Sequence, residues 1–187
     1  MTDAFSYLSV LLSIILGLAM TQVLLGYRAL LLARGRVRLY GPPLIWSGLM
    51  LVLAVQSWWA SFGMESAGGW TFLAFGVVLL QTVLLFMGAA IVLPDMPASE
   101  PADLRDHYFR EARPFFGLML AMLAVSILKD WLLLRALPET ANLAFHGVFA
   151  AVAVIALLVR RPLVHELIAP AMALATAAYI GLLFFEL

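Results

Sequence analysis

One lysine and three glutamines stand in stretches that are otherwise apolar, and their chemistry is what the rest of the chain must accommodate. Lys129, the only lysine, is followed directly by Asp130, and Ser126 stands about one helical turn earlier. Ionisable groups in a membrane span are costly, so they turn toward the protein interior, a partner or a water-filled cavity. The spacing therefore predicts an ion pair for Lys129, with Asp130 or with Glu65 from a loop on the same side. The sharper chemistry is a charge at an outer vestibule that attracts or gates a solute. A retinal Schiff base on Lys129 is excluded, because Asp130 adjoins it and the site lies near the membrane boundary.

Gln22, Gln56 and Gln81 belong to three successive apolar segments and step through the bilayer like a staircase. One amide in a span is interhelical glue worth roughly 1 kcal/mol. Three could line a polar path. His146 falls early in the fifth segment, and Thr176 with Tyr179 lies deeper in the sixth. Of the three histidines, only His107 and His165 share a side, and with nearby carboxylates they are weak candidates for a divalent metal. No compact metal motif, phosphate-cradling glycine loop or nucleophile elbow accompanies them, and no cofactor is implied. Cysteine is absent, which excludes thiol chemistry. Arg34, Arg36 and Arg38 alternate in a loop, whereas a voltage sensor needs arginines within a span.

The elements that position these residues follow from composition. In 187 residues, 65% are hydrophobic and only 12% charged, against roughly 45–50% and 25% in soluble domains. Mean hydropathy is +1.04. A soluble fold cannot bury that much apolar surface. Zero net charge and the lack of a basic run exclude a nucleic-acid binder. Disorder is excluded by the apolar content.

A span needs about 20 apolar residues. Charge-free stretches at 4–27, 39–64, 66–94, 140–159 and 167–185 meet that length or approach it. A sixth, 114–128, has fifteen residues and reaches spanning length only by carrying Lys129 and Asp130 into its outer end. The expectation is an all-α polytopic membrane protein, a single six-helix bundle over 1–187. Its helices are expected at about 4–33, 42–63, 69–93, 112–134, 141–159 and 163–185, with a juxtamembrane helix at about 100–112, capped by Ser99, that lies at the membrane interface or leads into helix four; a partner-docking surface is the alternative.

Gly41-Pro42-Pro43, Arg113-Pro114 and Arg161-Pro162 are expected to open the even-numbered helices, where proline's missing N–H costs nothing. They hint at three hairpins or a three-plus-three inverted repeat. Pro170 falls inside helix six. Along the juxtamembrane helix, Leu104, Tyr108, Ala112 and Phe115 recur at helical spacing, and Asp106 can pair with Arg110.

Nine arginines (28, 34, 36, 38, 105, 110, 113, 160 and 161) fall on one side, against Lys129 and Arg135 on the other. By the positive-inside rule the first side is cytoplasmic and both termini are outside, in a bacterial inner membrane. Trp58, Trp59, Phe62, Trp70 and Trp131 mark the outer boundary. Met1-Thr2-Asp3 lacks a positive n-region, so helix one reads as uncleaved.

Two small-residue stripes, Ser9, Ser13, Gly17 and Thr21, and Ala169, Ala173, Ala177 and Gly181, allow close backbone approach. They serve packing within the bundle or the seam of a homo-oligomer. The stretches Phe5-Ser6-Tyr7-Leu8-Ser9-Val10, Ile15-Leu16-Gly17-Leu18 and His107-Tyr108-Phe109-Arg110 with Phe115-Phe116 resemble small bacterial six-helix membrane proteins of unknown function. That resemblance covers the chain and implies six helices, but no activity. The expected function is a small channel or transporter-like protein moving an ion or small solute, with the lipid bilayer as its partner. The alternatives are an accessory subunit of a membrane complex or, behind it, a metal-binding protein or enzyme.

Overall fold

A computed structural model of the chain describes residues 4–61, 64, 70–95 and 102–183. Six helices carry it: α1 (Ala4–Leu32), α2 (Gly41–Ser61), α3 (Phe72–Ile91), α4 (Leu104–Leu134), α5 (Thr140–Leu158) and α6 (Pro162–Leu183). All six are long and apolar enough to cross a membrane. The chain is a polytopic membrane protein, a six-helix bundle. Leu31, Phe72, Leu163, Leu174 and Leu182 are among the many large apolar side chains on its surface. In a bilayer such residues meet acyl chains rather than water.

The ends of the helices meet in two groups. Leu30, Trp46, Val92, Leu104, Tyr108, Ala156 and Ala169 share one core cluster. They come from the end of α1, the start of α2, the end of α3, the start of α4, the end of α5 and the start of α6. Leu8, Leu12 and Val78 form a second cluster at the other end, with Met64, Trp70, Phe75 and Leu133 against it. The chain therefore crosses back and forth six times, and successive helices run antiparallel. The first group lies at the arginine-rich end.

The ends have local causes. Thr71 caps α3 by accepting from the Ala74 N–H at 3.1 Å. Pro162 opens α6, and Pro42 and Pro43 lie buried in the first turn of α2. Arg135 ends α4 in the left-handed conformation (φ 54°), its N–H bonded to the Trp131 carbonyl at 3.1 Å. Pro170 lies within α6, which runs on past it.

Helix four differs from expectation at its start. The juxtamembrane helix leads without a break into the span expected from 112, forming one helix of 31 residues, and Pro114, expected to open the span, lies inside it. A single buried stripe explains the continuity: Leu104, Tyr108, Ala112, Phe115, Phe116 and Met119 pack on the bundle on both sides of the proline. That burial outweighs the one backbone bond Pro114 cannot make. The cap is Asp103, whose Oδ1 accepts from the N–H groups of Arg105 (2.8 Å) and Asp106 (3.3 Å); Ser99 lies outside the described residues. Val37–Arg38 (β1) pairs in parallel with Ala102–Asp103 (β2), and Arg38 meets Asp103 at 3.6 Å, tying the start of α4 to the α1–α2 loop. Arg110 pairs with Glu111 at 3.2 Å rather than with Asp106. Without a start at Pro114, the three-hairpin pattern loses one of its three signals.

The helix-one stripe is not the packing seam within the bundle. α1 buries Leu8, Leu12, Leu16, Ala19 and Val23, the rows beside Ser9, Ser13, Gly17 and Thr21. A Cβ added at Gly17 would meet nothing within 4 Å. Close approach occurs instead at Gly26, against Leu93, and at Gly88, against Met119 and Met50. On α6, Ala169 is fully buried and Ala173 packs on the core, while Gly181 is open.

Candidate functional site

All six helices reach a shared interior space, and on four of them the lining stripe changes character along its length. On α2, Trp46, Leu49 and Leu53 lead to Gln56 and Ser57. On α4, Phe116, Met119 and Leu123 lead to Ser126, then Lys129 and Asp130. On α6, Met172 leads to Thr176 and Tyr179. On α5, read from its far end, Ala153 and Phe149 lead to His146 and Asn142. α3 adds Gln81 and Thr82. On α2, α4, α5 and α6 three- and four-residue steps keep the stripe on one helical face. On these four the lining turns from mainly apolar toward the arginine-rich end to partly polar away from it, where Leu12, Ala60, Met64, Val78 and Leu133 also line the space.

The space consists of two adjoining cavities. The one at the polar end has a volume of about 260 Å³ and is lined by Lys129, Asp130, Asn142 and Thr82. The deeper one, about 100 Å³, is lined by Leu53, Met119, Phe149 and Met172. Gln56, Ser57, Gln81, Ser126 and Tyr179 belong to the walls of both. Together they reach the lower end of the ~300–1,000 Å³ typical of small-molecule sites.

Lys129 Nζ lies 3.5 Å from Asp130 Oδ1, and both side chains are less than one-fifth exposed. Of the two expected partners for Lys129, the pair with Asp130 forms; Glu65 lies outside the described residues. His146 Nδ1 donates to the Asn142 carbonyl at 2.9 Å. A carbonyl only accepts, so Nδ1 carries a proton. The Tyr179 hydroxyl reaches Asn142 Oδ1 at 3.3 Å, and its ring packs on Phe145 and Phe149.

Of the residues expected from sequence, Gln56, Gln81, Ser126, Lys129, Asp130, His146 and Thr176 all line this space. Gln22 does not. It faces a separate recess near Leu93 and Asp95 at the arginine-rich end, because α1 reaches the shared space only through Leu12 and Leu16. The staircase of three amides is therefore a pair plus an outlier. Ser57, Thr82 and Asn142 also line it and are not among the residues expected from sequence. Asn142 stands one turn before His146, and that spacing was the available signal.

Below the deeper cavity the bundle is closed by aromatic rings. Trp46 packs edge-on against Phe115 and Phe116 at 5.5 and 5.3 Å. Beneath them His165, fully buried, sits among Tyr108, Phe109 and Phe116. Its Nε2 donates to the Val159 carbonyl at 2.7 Å, and its Nδ1 accepts from the Tyr108 hydroxyl at 2.8 Å. Both ring nitrogens are thus engaged. His107 turns instead toward α3, with Nε2 bonded to the Ile91 carbonyl at 3.0 Å. The expected metal pair is not brought together, and no group of three potential metal ligands occurs among the described residues. At the edge, burial and the Glu166 carboxylate push the Tyr40 phenol up to about 12.

No known protein family, curated protein or solved structure matches the chain.

Proposed function

We propose that this protein is a small channel or transporter of the bacterial inner membrane, taking an ion or small solute into the cavity between Gln56 and Gln81. One observation carries this: polar side chains from five helices, otherwise expensive in a bilayer, converge on the same space. Amides serving only as glue would hydrogen-bond helix to helix, without an enclosed volume beside them. Lys129 and Asp130 stand at the outer end, and the Trp46–Phe116 aromatic layer closes the cytoplasmic end, by the arginine bias.

The test is reconstitution of the full chain in liposomes. Flux of Na⁺, K⁺, H⁺ and Cl⁻ would be followed with dyes, uptake of urea, glycerol and glycine by light scattering, and uptake of L-leucine by radiolabel. At least one probe should cross faster than in empty liposomes, and Gln56→Leu with Gln81→Leu should abolish that flux without loss of fold. Rates equal to empty liposomes for every probe would overturn the proposal.

A second reading, an accessory subunit or a homo-oligomer, is favoured by one feature. Gly17, in the middle of the Ser9–Thr21 stripe, has open space where a Cβ would stand. Small residues facing lipid allow a second helix to approach closely.

A further inference from the structure

Building on the cavity as the solute site, we propose that its ligand is a small zwitterion with an apolar side chain, the chemistry of a large neutral amino acid. Three features select this class. First, the charges lining the polar cavity, among the described residues, are one ammonium and one carboxylate, Lys129 and Asp130. The pair is neutral as a whole, so a ligand with net charge would bring an uncompensated charge into a low-dielectric site. A zwitterion matches both, its carboxylate on Lys129 and its ammonium on Asp130.

Second, the pair has capacity to spare. Its 3.5 Å separation exceeds the ~2.7–2.9 Å of a close charge-assisted bond. An ammonium has three donors, and a carboxylate about four lone-pair sites. Both groups can therefore take up a ligand charge while keeping their own contact.

Third, the space is amphipathic along its axis. The deeper cavity is walled mainly by apolar residues, Leu53, Met119, Phe149 and Met172 among them, with His146 and Thr176 also in its wall; an uncharged polar solute held at Gln56 and Gln81 would leave that apolar wall uncovered. A ligand held by its charges at Lys129 and Asp130 would extend an apolar chain past the two glutamines into that chamber. Burying such a chain contributes roughly 25 cal/mol per Å² of apolar surface.

Binding of radiolabelled L-leucine to the full chain in nanodiscs tests this directly. Unlabelled L-leucine and L-phenylalanine should compete. Three compounds each lack one feature: 4-methylpentanoate has no ammonium, 3-methylbutylamine no carboxylate, and glycine no side chain. Each should compete about tenfold more weakly or worse, the loss expected for one charged contact or one buried side chain. The double variant Lys129→Met/Asp130→Leu, checked for an unchanged melting temperature, should lose L-leucine binding by at least about tenfold. Competition by the amine or the acid equal to that of L-leucine would overturn the assignment. So would the absence of L-leucine binding while ions or uncharged solutes cross liposomes, a result that leaves the transport reading standing. L-Leucine binding without flux of any probe would uphold the site and overturn transport.

Discussion

The Tyr108 hydroxyl donates to Nδ1 of His165 at 2.8 Å, and the other nitrogen of that ring sets the direction of the bond. Nε2 must hold the proton to bond the Val159 carbonyl, so Nδ1 has only a lone pair to offer. The contact joins α4 to α6 beneath the aromatic layer, where His165 has no exposure to water. Tyr108→Phe leaves a buried acceptor unpaired, at a cost of about 1–3 kcal/mol. His165→Leu strands both the Tyr108 hydroxyl and the Val159 carbonyl and should cost more. The double variant should recover part of that loss, since one stranded group has gone. Thermal unfolding followed by tryptophan fluorescence reads all three. Tyr108→Phe melting at the wild-type temperature would mean that this bond contributes nothing.

Glycine positions separate packing inside the bundle from packing outside it. At Gly88 an added Cβ would come within 3.0 Å of Met119 Cε and 3.4 Å of Met50 Sδ. Gly88→Val should therefore overpack α3 against α2 and α4 and destabilise by about 1–3 kcal/mol. At Gly17 an added Cβ meets nothing within 4 Å, and Gly17→Leu should leave the unfolding free energy within about 0.5 kcal/mol of wild type. Size-exclusion chromatography with light scattering adds a second readout for Gly17→Leu. A smaller particle identifies the stripe as a seam between copies; an unchanged one places it against lipid.

Much of this was legible in the residues, and the failures share a cause. Charge-free runs with their flanking arginines locate six spans, because the bilayer imposes length and composition on each helix independently of its neighbours. Seven of the eight polar candidates line the cavity for the same reason: a polar group in a span has few places to go. Gln22 falls outside the cavity because depth alone does not tell which face of α1 meets the other helices. Asn142 resembles a helix end, being polar and in a first turn, until α6 brings Tyr179 to it. Proline favours a helix start, but at Pro114 the buried stripe from Leu104 to Met119 overrides that preference. The Gly17 stripe shows that small residues record a capacity for close approach, not its use.

Orientation can be read with single cysteines, since the natural chain has none. Gly35 lies in the exposed turn between α1 and β1, and Leu137 is 65% exposed beyond the end of α4. With the arginine-rich end in the cytoplasm, Leu137→Cys should react with an impermeant thiol reagent in intact cells. Gly35→Cys should react only after permeabilisation. The opposite pattern would reverse the topology and put the Lys129–Asp130 end of the cavity inside the cell.

Lys129 and Asp130 make the strongest energetic case, because adjacent helical residues diverge by about 100° and rarely serve as each other's partner. Here they meet at 3.5 Å, at the wall of the polar cavity and mostly shielded from solvent. In such a site the Coulomb gain of a pair roughly offsets its desolvation, whereas a single orphaned charge keeps the full penalty. Lys129→Met alone, or Asp130→Leu alone, should thus cost up to about 3–5 kcal/mol, less where cavity water reaches the remaining charge. The double variant should have a stability within about 1 kcal/mol of wild type, giving a coupling energy well above the ~0.2–1 kcal/mol of exposed pairs. Two single variants as stable as wild type would show both groups fully hydrated and uncoupled. A double variant less stable than either single one would show that each charge holds a separate partner, with the observed contact incidental.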